Sequence, residues 1–389
     1  MALAIQTITF AQQYTNSWLH PAPKKADQPL KLGVLSSAQI NAAAAIHPAE
    51  SHPDILLYGI ASRDNATAKS QARKYRFMKS YGSYEELISD PAIDIVYISV
   101  PNGLHFEWAS KALDAGKHVL LEKPFTSNAA EAKRLVECAE RSGKILEEAF
   151  HWQFHPAAHR FREILEDEKH GKIIRTRAIM TSTPEIPAGD IRWQYDLAGG
   201  SLMDMTYVLS FTRFALKAGV PPKVISAKAR PATHDPRVDS AMEATLLFKT
   251  QTMYDVHSTI YTDMKRGWAM GIVPRFWELP SIEVETEKST IYFYNAMMPH
   301  IYHYIGITDK ASGRTKYEKC YSGGPQWKER GKPHWSTYRY QLEAFIDKVR
   351  GREPVHWVTH GESVAQMETI DDVYRKSELP LRPTSTLAM

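Results

Sequence analysis

The sequence predicts an α/β protein: an N-terminal Rossmann domain on a doubly wound parallel sheet, then an α+β domain with a large, mostly antiparallel, open-faced sheet. Three observations predict it. From Lys31 to Glu148, short runs of Ile, Val and Leu alternate with helical periods, the pattern of parallel strands buried on both faces with helices between them. Beyond residue 150, strand patterns follow one another with few helices between, the mark of an antiparallel sheet. The helical run HPAAHRFREILED, His155 to Asp167, stands at the change of pattern. The organisation expected is therefore an arm and linker over 1–30, a nucleotide domain over 31–150 and a substrate and dimerisation domain over 151–389.

The arm ends in the Pro- and Lys-rich linker HPAPKKADQP, His20 to Pro29. LKLGVLS is a strand, followed by a helix through Ile46. ILLYGIAS precedes the helix NATAKSQARKYRF. IDIVYISV precedes LHFEWASKALDAG, KHVLLEKP precedes SNAAEAKRLVECAERSG, and KILEEAF closes the series. The second half offers eight strand candidates: KIIRTRAIMTST, KVISAKARPA, SAMEATLLFK, TMYDVHSTIY, SIEVETE, STIYFYN, HIYHYIGI and TKYEKCY. A helix around Ser201 to Leu216 interrupts them, and STYRYQLEAFIDKVRG and GESVAQMETIDDVYRKS come last as helices.

Composition narrows the class. With 389 residues, 43% hydrophobic and 24% charged, the chain can build two cores under a soluble surface. A net charge of +4 with no basic stripe carrying interleaved aromatics argues against a nucleic-acid partner. Two cysteines, Cys138 and Cys320, make no disulfide framework and point to a reducing, cytoplasmic setting. Cys138 reads as a buried small hydrophobe of a helix. No run of about 18 apolar residues suggests a membrane span, and MALAIQTITFAQQY lacks the basic start and cleavage site of a signal peptide.

Five stretches carry possible chemistry. The turn after the first strand is where a dinucleotide pyrophosphate would lie, and such turns want Gly-x-Gly-x-x-Gly/Ala. Gly33 is the only glycine there, and the turn positions hold Ser36, Ala38 and Asn41. Ala38 serves wherever φ is negative, Ser36 trades close approach for a hydroxyl, and Asn41 adds bulk where helix and strand should pack. Ser36, Ser37, Ala38, Gln39 and Ile40 are the candidate phosphate contacts. The second strand ends at Ser62 and Arg63. An acid at this place would suit a ribose 2′-hydroxyl, whereas an arginine suits a 2′-phosphate, so the cofactor expected is NADP; otherwise Arg63 is a solvated residue at a helix start. Pro101 and Asn102 end the third apolar run, with Asn102 placed to cap the next helix and His105 one turn in, facing the cleft or solvent. Glu122 and Lys123 stand at the tip of a buried run, where adjacent charges need partners. They read as a structural ion pair or as acid–base tuning, with Pro124 fixing the turn. In AGGSLMDMTY, Asp204 and Tyr207 are three apart and share a helical face. Such a pair is more often packing than catalysis, although a tyrosine beside a lysine can act as an acid–base, its phenol pKa lowered by the cation. The second half also holds Trp268, Phe276, Trp277, Trp327 and Trp335, either core or a stacking surface for a sugar ring.

Taken together, EKP, AGGSLMD and the strand–helix pattern resemble the glucose–fructose oxidoreductase/inositol dehydrogenase family (Gfo/Idh/MocA), in the branch of dimeric dihydrodiol and NADP-dependent D-xylose dehydrogenases. The likeness runs from about Lys31 to the C-terminus. DPAIDIVYISVPNGLHFEWASKALDAGKHVLLEKP carries it for the branch, and EEAFHWQFHPA, DIRWQYDLAGGSLMD, WSTYRYQLEAFIDKVRGR and LPLRPTS for a fungal-type subgroup. The resemblance implies an NADP-dependent oxidoreductase that moves hydride between nicotinamide and a sugar-like alcohol or lactol such as D-xylose or a trans-dihydrodiol, without a metal. It implies that Lys123 holds the reacting hydroxyl, Glu122 contacts the cofactor ribose, Tyr207 is the acid–base, Asp204 supports the site, and Arg192 and Trp193 approach the cofactor. It also implies a homodimer through the open sheet. Two departures stand out. The branch usually has glycine where Ser36 stands, and its Asp-x-Gly-x-Tyr motif is one residue longer than DMTY here. In a continuous helix one deletion turns the downstream residues by about 100°, so either Tyr207 rotates away or Met203 takes the acid's place. If the tyrosine is turned away, His155 or a water held by Lys123 must take the proton. The rival expectation is a divergent specialised-metabolism member that uses the pocket for non-redox isomerisation, elimination or cyclisation, reduces a polyketide- or terpenoid-like substrate, or only binds.

Overall fold

A computed structural model describes residues 19–182, 184–250 and 254–386. Most of the N-terminal arm lies outside the described residues. Its linker is tied down: Lys25 Nζ donates to the carbonyls of Ala49, Glu50 and His52 at 2.9, 3.1 and 2.8 Å.

The first sheet contains β1 (Leu30–Leu35), β2 (Ile55–Ala61), β3 (Lys79–Tyr81), β4 (Ile95–Ile98), β5 (His118–Leu121) and β6 (Leu146–Glu148). All pairs are parallel, in the order β3-β2-β1-β4-β5-β6. This is the dinucleotide-binding order, in which the ligand crevice opens beyond the carboxyl ends of β1 and β4. Helices cover both faces, so β4 is buried at all four residues. Gly33 serves packing within β1: a Cβ there would stand 2.8 Å from Leu87 Cδ2. Cys138 is buried in the helix Ala129–Ser142.

Eight strands form the second sheet: β7 (Ile173–Thr181), β8 (Lys223–Pro231), β9 (Asp239–Lys249), β10 (Asp255–Asp263), β11 (Ser281–Thr286), β12 (Ser289–Tyr294), β13 (Tyr304–Asp309) and β14 (Thr315–Glu318). The order is β14-β13-β12-β11-β7-β10-β9-β8, antiparallel except where β7 meets β10. One face packs on the helix Tyr207–Leu216, and β12 alternates buried and half-buried residues. The opposite face carries a tyrosine cluster, with Tyr294 stacked on Tyr304 at 4.9 Å and Tyr304 edge-on to Tyr317 at 5.4 Å. In the connection from β10 to β11, Trp268, Phe276 and Trp277 are exposed. Trp327 is in the core, and half-buried Trp335 packs against Tyr340.

The chain ends by crossing back to the first sheet's helices. The helices Thr337–Val349 and His360–Lys376 lead into a tail whose Ser385 N–H donates to Glu131 Oε1 at 2.5 Å. Asn128 Nδ2 donates to the Arg382 carbonyl at 3.0 Å.

Candidate active site

At the β1 turn, Ser36 stands at φ 122°, a conformation that favours glycine. Its hydroxyl points inward, pairing with Ser99 Oγ at 2.8 Å and accepting the Ala38 N–H at 3.1 Å. Asn41 completes the network: its Nδ2 donates to the Ser36 carbonyl at 2.9 Å, and its Oδ1 accepts from Ser99 Oγ at 2.5 Å. The residues that replace the expected glycines are thus mutually satisfied, and the Ser36 side chain turns away from the crevice. Ser37, Ala38, Gln39 and Ile40 remain on its rim, partly or fully exposed.

At the β2 tip, Ser62 is buried, its hydroxyl 3.5 Å from Ser37 Oγ. Arg63 is exposed beside the Tyr84 phenol. The nearby acid is already used: Asp64 caps the helix Asn65–Tyr75, accepting the Ala66 and Thr67 N–H groups at 3.2 and 2.9 Å. These residues fit a 2′-phosphate, since a carboxylate committed to a cap is not free to bind a ribose diol.

Beyond β4, Asn102 does not cap the following helix. Its Nδ2 reaches the Ala198 carbonyl at 3.3 Å, and Gly103 packs so closely on Asp196 and Leu197 that a Cβ would come within 2.9 Å of their backbone. Pro101 leads into this contact. His105 is buried, not exposed. Its ring nitrogens lie 2.7 and 3.0 Å from the Pro124 and Val100 carbonyls, and burial pulls it down to about 4. It therefore braces the loop that carries Lys123, and the Lys123–Pro124 peptide is cis.

Glu122 is buried, accepting from Tyr97 OH at 2.6 Å and from the Lys123 N–H at 3.3 Å; burial raises its pKa. Lys123 leaves β5 and crosses to the second half. Its Nζ donates to the Asp204 carbonyl at 2.6 Å and lies 3.5 Å from Asp204 Oδ1. Arg192 Nε holds the same Oδ1 at 2.9 Å and is itself anchored by Asp190. Burial pushes Asp204 up, but Arg192 and Lys123 prevail and hold it down to about 2. The Trp193 indole N–H goes to the Pro187 and Ile186 carbonyls at 3.0 and 3.3 Å.

The DMTY segment does not rotate as a continuous helix. The helix Ser201–Asp204 ends, Met205 and Thr206 form a turn, and a new helix begins at Tyr207. Asp204 lies against Lys123 and Arg192, and Met203 is buried in the core. Tyr207 stays beneath the lysine, with Lys123 Nζ 5.2 Å from its ring centre. Its hydroxyl, however, pairs with His151 Nε2 at 2.9 Å. The phenol's pKa is raised, not lowered as expected beside a lysine: burial raises it first, then Tyr338, Glu122 and Asp204. His155 is not the neighbouring base, because its Nδ1 accepts the Ala157 N–H as a helix cap.

Two groups near the site escaped the sequence reading. His151 was signalled only as a histidine inside the apolar run EEAFHWQF. Arg382, in LPLRPTS, is fully buried 2.6 Å from equally buried Asp239. It also donates to the Gly199 carbonyl at 2.6 Å, while Asp239 accepts from Ser201 Oγ and the Leu202 N–H at 2.6 and 2.8 Å. This pair anchors the start of the Asp204 helix.

Comparisons with known proteins bear on the same regions. Residues 31–150 match the oxidoreductase family with the NAD-binding Rossmann fold, GFO_IDH_MocA, and residues 158–291 match the GFO/IDH/MocA C-terminal domain. D-xylose 1-dehydrogenase (NADP(+)) 2 of Haloferax volcanii is 31% identical over 90% of this chain and 98% of its own. A trans-1,2-dihydrobenzene-1,2-diol dehydrogenase of Xenopus tropicalis is 29% identical over 64% of this chain and 75% of its own. Two solved structures share the fold over 90% of this chain and 98% of theirs. An aldose–aldose oxidoreductase from Caulobacter crescentus complexed with glycerol has a TM-score of 0.74 at 19% identity, and a 3-ketoreductase from Actinomadura kijaniata with NADP and TDP-benzene has 0.73 at 24%. With both of its regions matched and a 31% identical relative aligned along nearly its whole length, this chain belongs to the Gfo/Idh/MocA family of oxidoreductases.

Proposed function

We propose that the protein is an NADP-dependent oxidoreductase that interconverts a sugar-like secondary alcohol or lactol and its carbonyl form. The observation that carries this is Lys123: an ammonium at the tip of β5, beside the nucleotide crevice, 2.6 Å from the Asp204 carbonyl and 5.2 Å from the Tyr207 ring. Ser36 to Ile40 would receive the pyrophosphate and Ser62 with Arg63 the 2′-phosphate, while Pro101, Asn102 and Glu122 border the nicotinamide half. When bound, the cofactor supplies the hydride acceptor or donor. The chain's own part is to orient the alcohol and manage its proton. Lys123 orients the hydroxyl, Asp204 and Arg192 fix the lysine, and Tyr207 exchanges the proton. The open sheet face, with its tyrosine cluster, suits a homodimer, and two free thiols accord with a cytoplasmic setting.

The test uses D-xylose and trans-1,2-dihydrobenzene-1,2-diol with NADP⁺. Lys123→Met is expected to abolish turnover while leaving NADP⁺ affinity, measured by fluorescence, within severalfold. Tyr207→Phe is expected to slow turnover by roughly 10² or more. Product formed from these alcohols without a change in nicotinamide absorbance would overturn the redox reading in favour of non-redox chemistry.

A further inference from the structure

β1 and β4 end side by side, with Leu35 opposite Ile98. The residues that follow, Ser36 and Ser99, meet through their hydroxyls at 2.8 Å, and Asn41 joins them from the far end of the phosphate turn. All three residues are buried. The hydrogens run one way round this group. Asn41 Nδ2 donates to the Ser36 carbonyl at 2.9 Å, which leaves Oδ1, an acceptor only, facing Ser99 Oγ at 2.5 Å. The Ser99 hydroxyl must donate to it. Ser99 Oγ has no second hydrogen, so the Ser36 hydroxyl donates to Ser99, and Ser36 Oγ accepts the Ala38 N–H at 3.1 Å. Turning the Asn41 amide over would set its oxygen against the Ser36 carbonyl. The contacts close a ring that spans the turn and ties it to the end of β4, with each of these groups satisfied.

The ring bears on a strained backbone. Ser36 stands at φ 122°, where glycine is favoured over any residue with a Cβ. Such conformations persist only where the surroundings over-determine them. Here every polar group of the residue is engaged. Its carbonyl is held by Asn41 and its hydroxyl by Ser99 and Ala38, while its N–H donates to the Ala61 carbonyl on β2 at 3.1 Å. Without the ring, Ser36 is free to return to negative φ, which redirects the chain that follows it.

We propose that Asn41 and Ser99 are positioning residues for the cofactor: through the ring they hold the phosphate turn in the shape that a glycine at position 36 would adopt unaided, and so present Ser37 to Ile40 to the pyrophosphate. The proposal rests on the NADP reading given above. Both side chains lie buried behind the turn and act through its backbone. Asn41, which the sequence presents as bulk between helix and strand, is in this role what makes a serine acceptable where the branch usually has glycine.

The experiment compares Ser99→Ala with and without Ser36→Gly in the full-length protein. Ser99→Ala opens the ring, and NADPH affinity, read from nucleotide fluorescence, should fall about tenfold, the scale of releasing one strained residue. In the Ser36→Gly background there is no strain to hold, and the same Ser99→Ala change should cost no more than about twofold. Asn41→Ala should follow the same pattern. The Asn41 N–H donates to the Ala38 carbonyl at 3.1 Å within the turn. Its hydrogen exchange should quicken in Ser99→Ala and slow again when Ser36→Gly is added. A general loosening of the fold would lower affinity alike in both backgrounds, and that result would overturn the proposal. So would a Ser99→Ala protein that binds NADPH as tightly as the wild type. If the wild type binds no NADPH, the NADP reading fails, and an Asn41 exchange rate that Ser99→Ala leaves unchanged is then the result that overturns the ring itself.

Discussion

Removing Arg382 tests how the C-terminal tail holds the active-site helix. The guanidinium and the Asp239 carboxylate are both wholly shielded from solvent, 2.6 Å apart. Arg382→Met keeps the side chain's length and removes its charge. Asp239 would then keep its contacts to Tyr374, Ser201 and the Leu202 N–H but hold a buried charge with no counter-ion, and the Gly199 carbonyl would lose its donor. Stranding one member of a buried pair costs about 3–5 kcal/mol. Asp239→Asn should cost a similar amount by stranding the arginine. The double variant removes both charges, so its loss should fall short of the sum of the single losses by about 1.5–3 kcal/mol. Urea unfolding followed by fluorescence and circular dichroism measures all four proteins, the two probes checking that one transition is being read. Because the helix Ser201–Asp204 is a single turn anchored by this pair, Arg382→Met should also reduce kcat more than it weakens NADP⁺ binding. A loss below about 1 kcal/mol, or strictly additive losses, would refute the reasoning.

Other outcomes rest on the same geometry. Burial pushes Glu148 up to about 8, against the opposing pull of Ser363, the Phe125 backbone, Arg213 and Lys123. Between its ordinary value of 4.5 and about 8 the unfolded chain ionises and the folded one does not, so this group makes stability fall as pH rises, by up to about 4–5 kcal/mol. Glu148→Gln should therefore gain on the wild type between pH values of about 5 and 8, and an equal stability difference at both would refute this. For cofactor choice, NADP⁺ should bind at least about tenfold tighter than NAD⁺, and Arg63→Ala should erase most of the difference, the scale of one charge-assisted contact; equal affinities in fluorescence titration would remove Arg63 from that role. For assembly, sedimentation at micromolar concentration should show a dimer, and a species of 44.2 kDa alone would count against the open sheet as an interface.

The sequence by itself determined the layers. Parallel strands covered on both faces must be apolar along their length, so β1, β2, β4, β5 and β6 stood out as runs, and the eight strands of the second sheet were each bounded by polar or turn residues. It missed β3, a three-residue edge strand of Lys79, Ser80 and Tyr81 with no apolar run to mark it. It also located the crevice and the lysine, because both sit at strand ends whose positions the runs define. Only the tertiary structure decided what the side chains do there. Met205 and Thr206 break the helix, so the short DMTY spacing leaves Asp204 on the lysine and Tyr207 beneath it. The phenol's partner, His151, is 56 residues away, and Arg382 reaches Asp239 across 143. Contacts at such separations depend on how whole elements pack. Local periodicity reports which face of an element is buried, and carries no record of which distant hydroxyl, imidazole or carboxylate will meet it there.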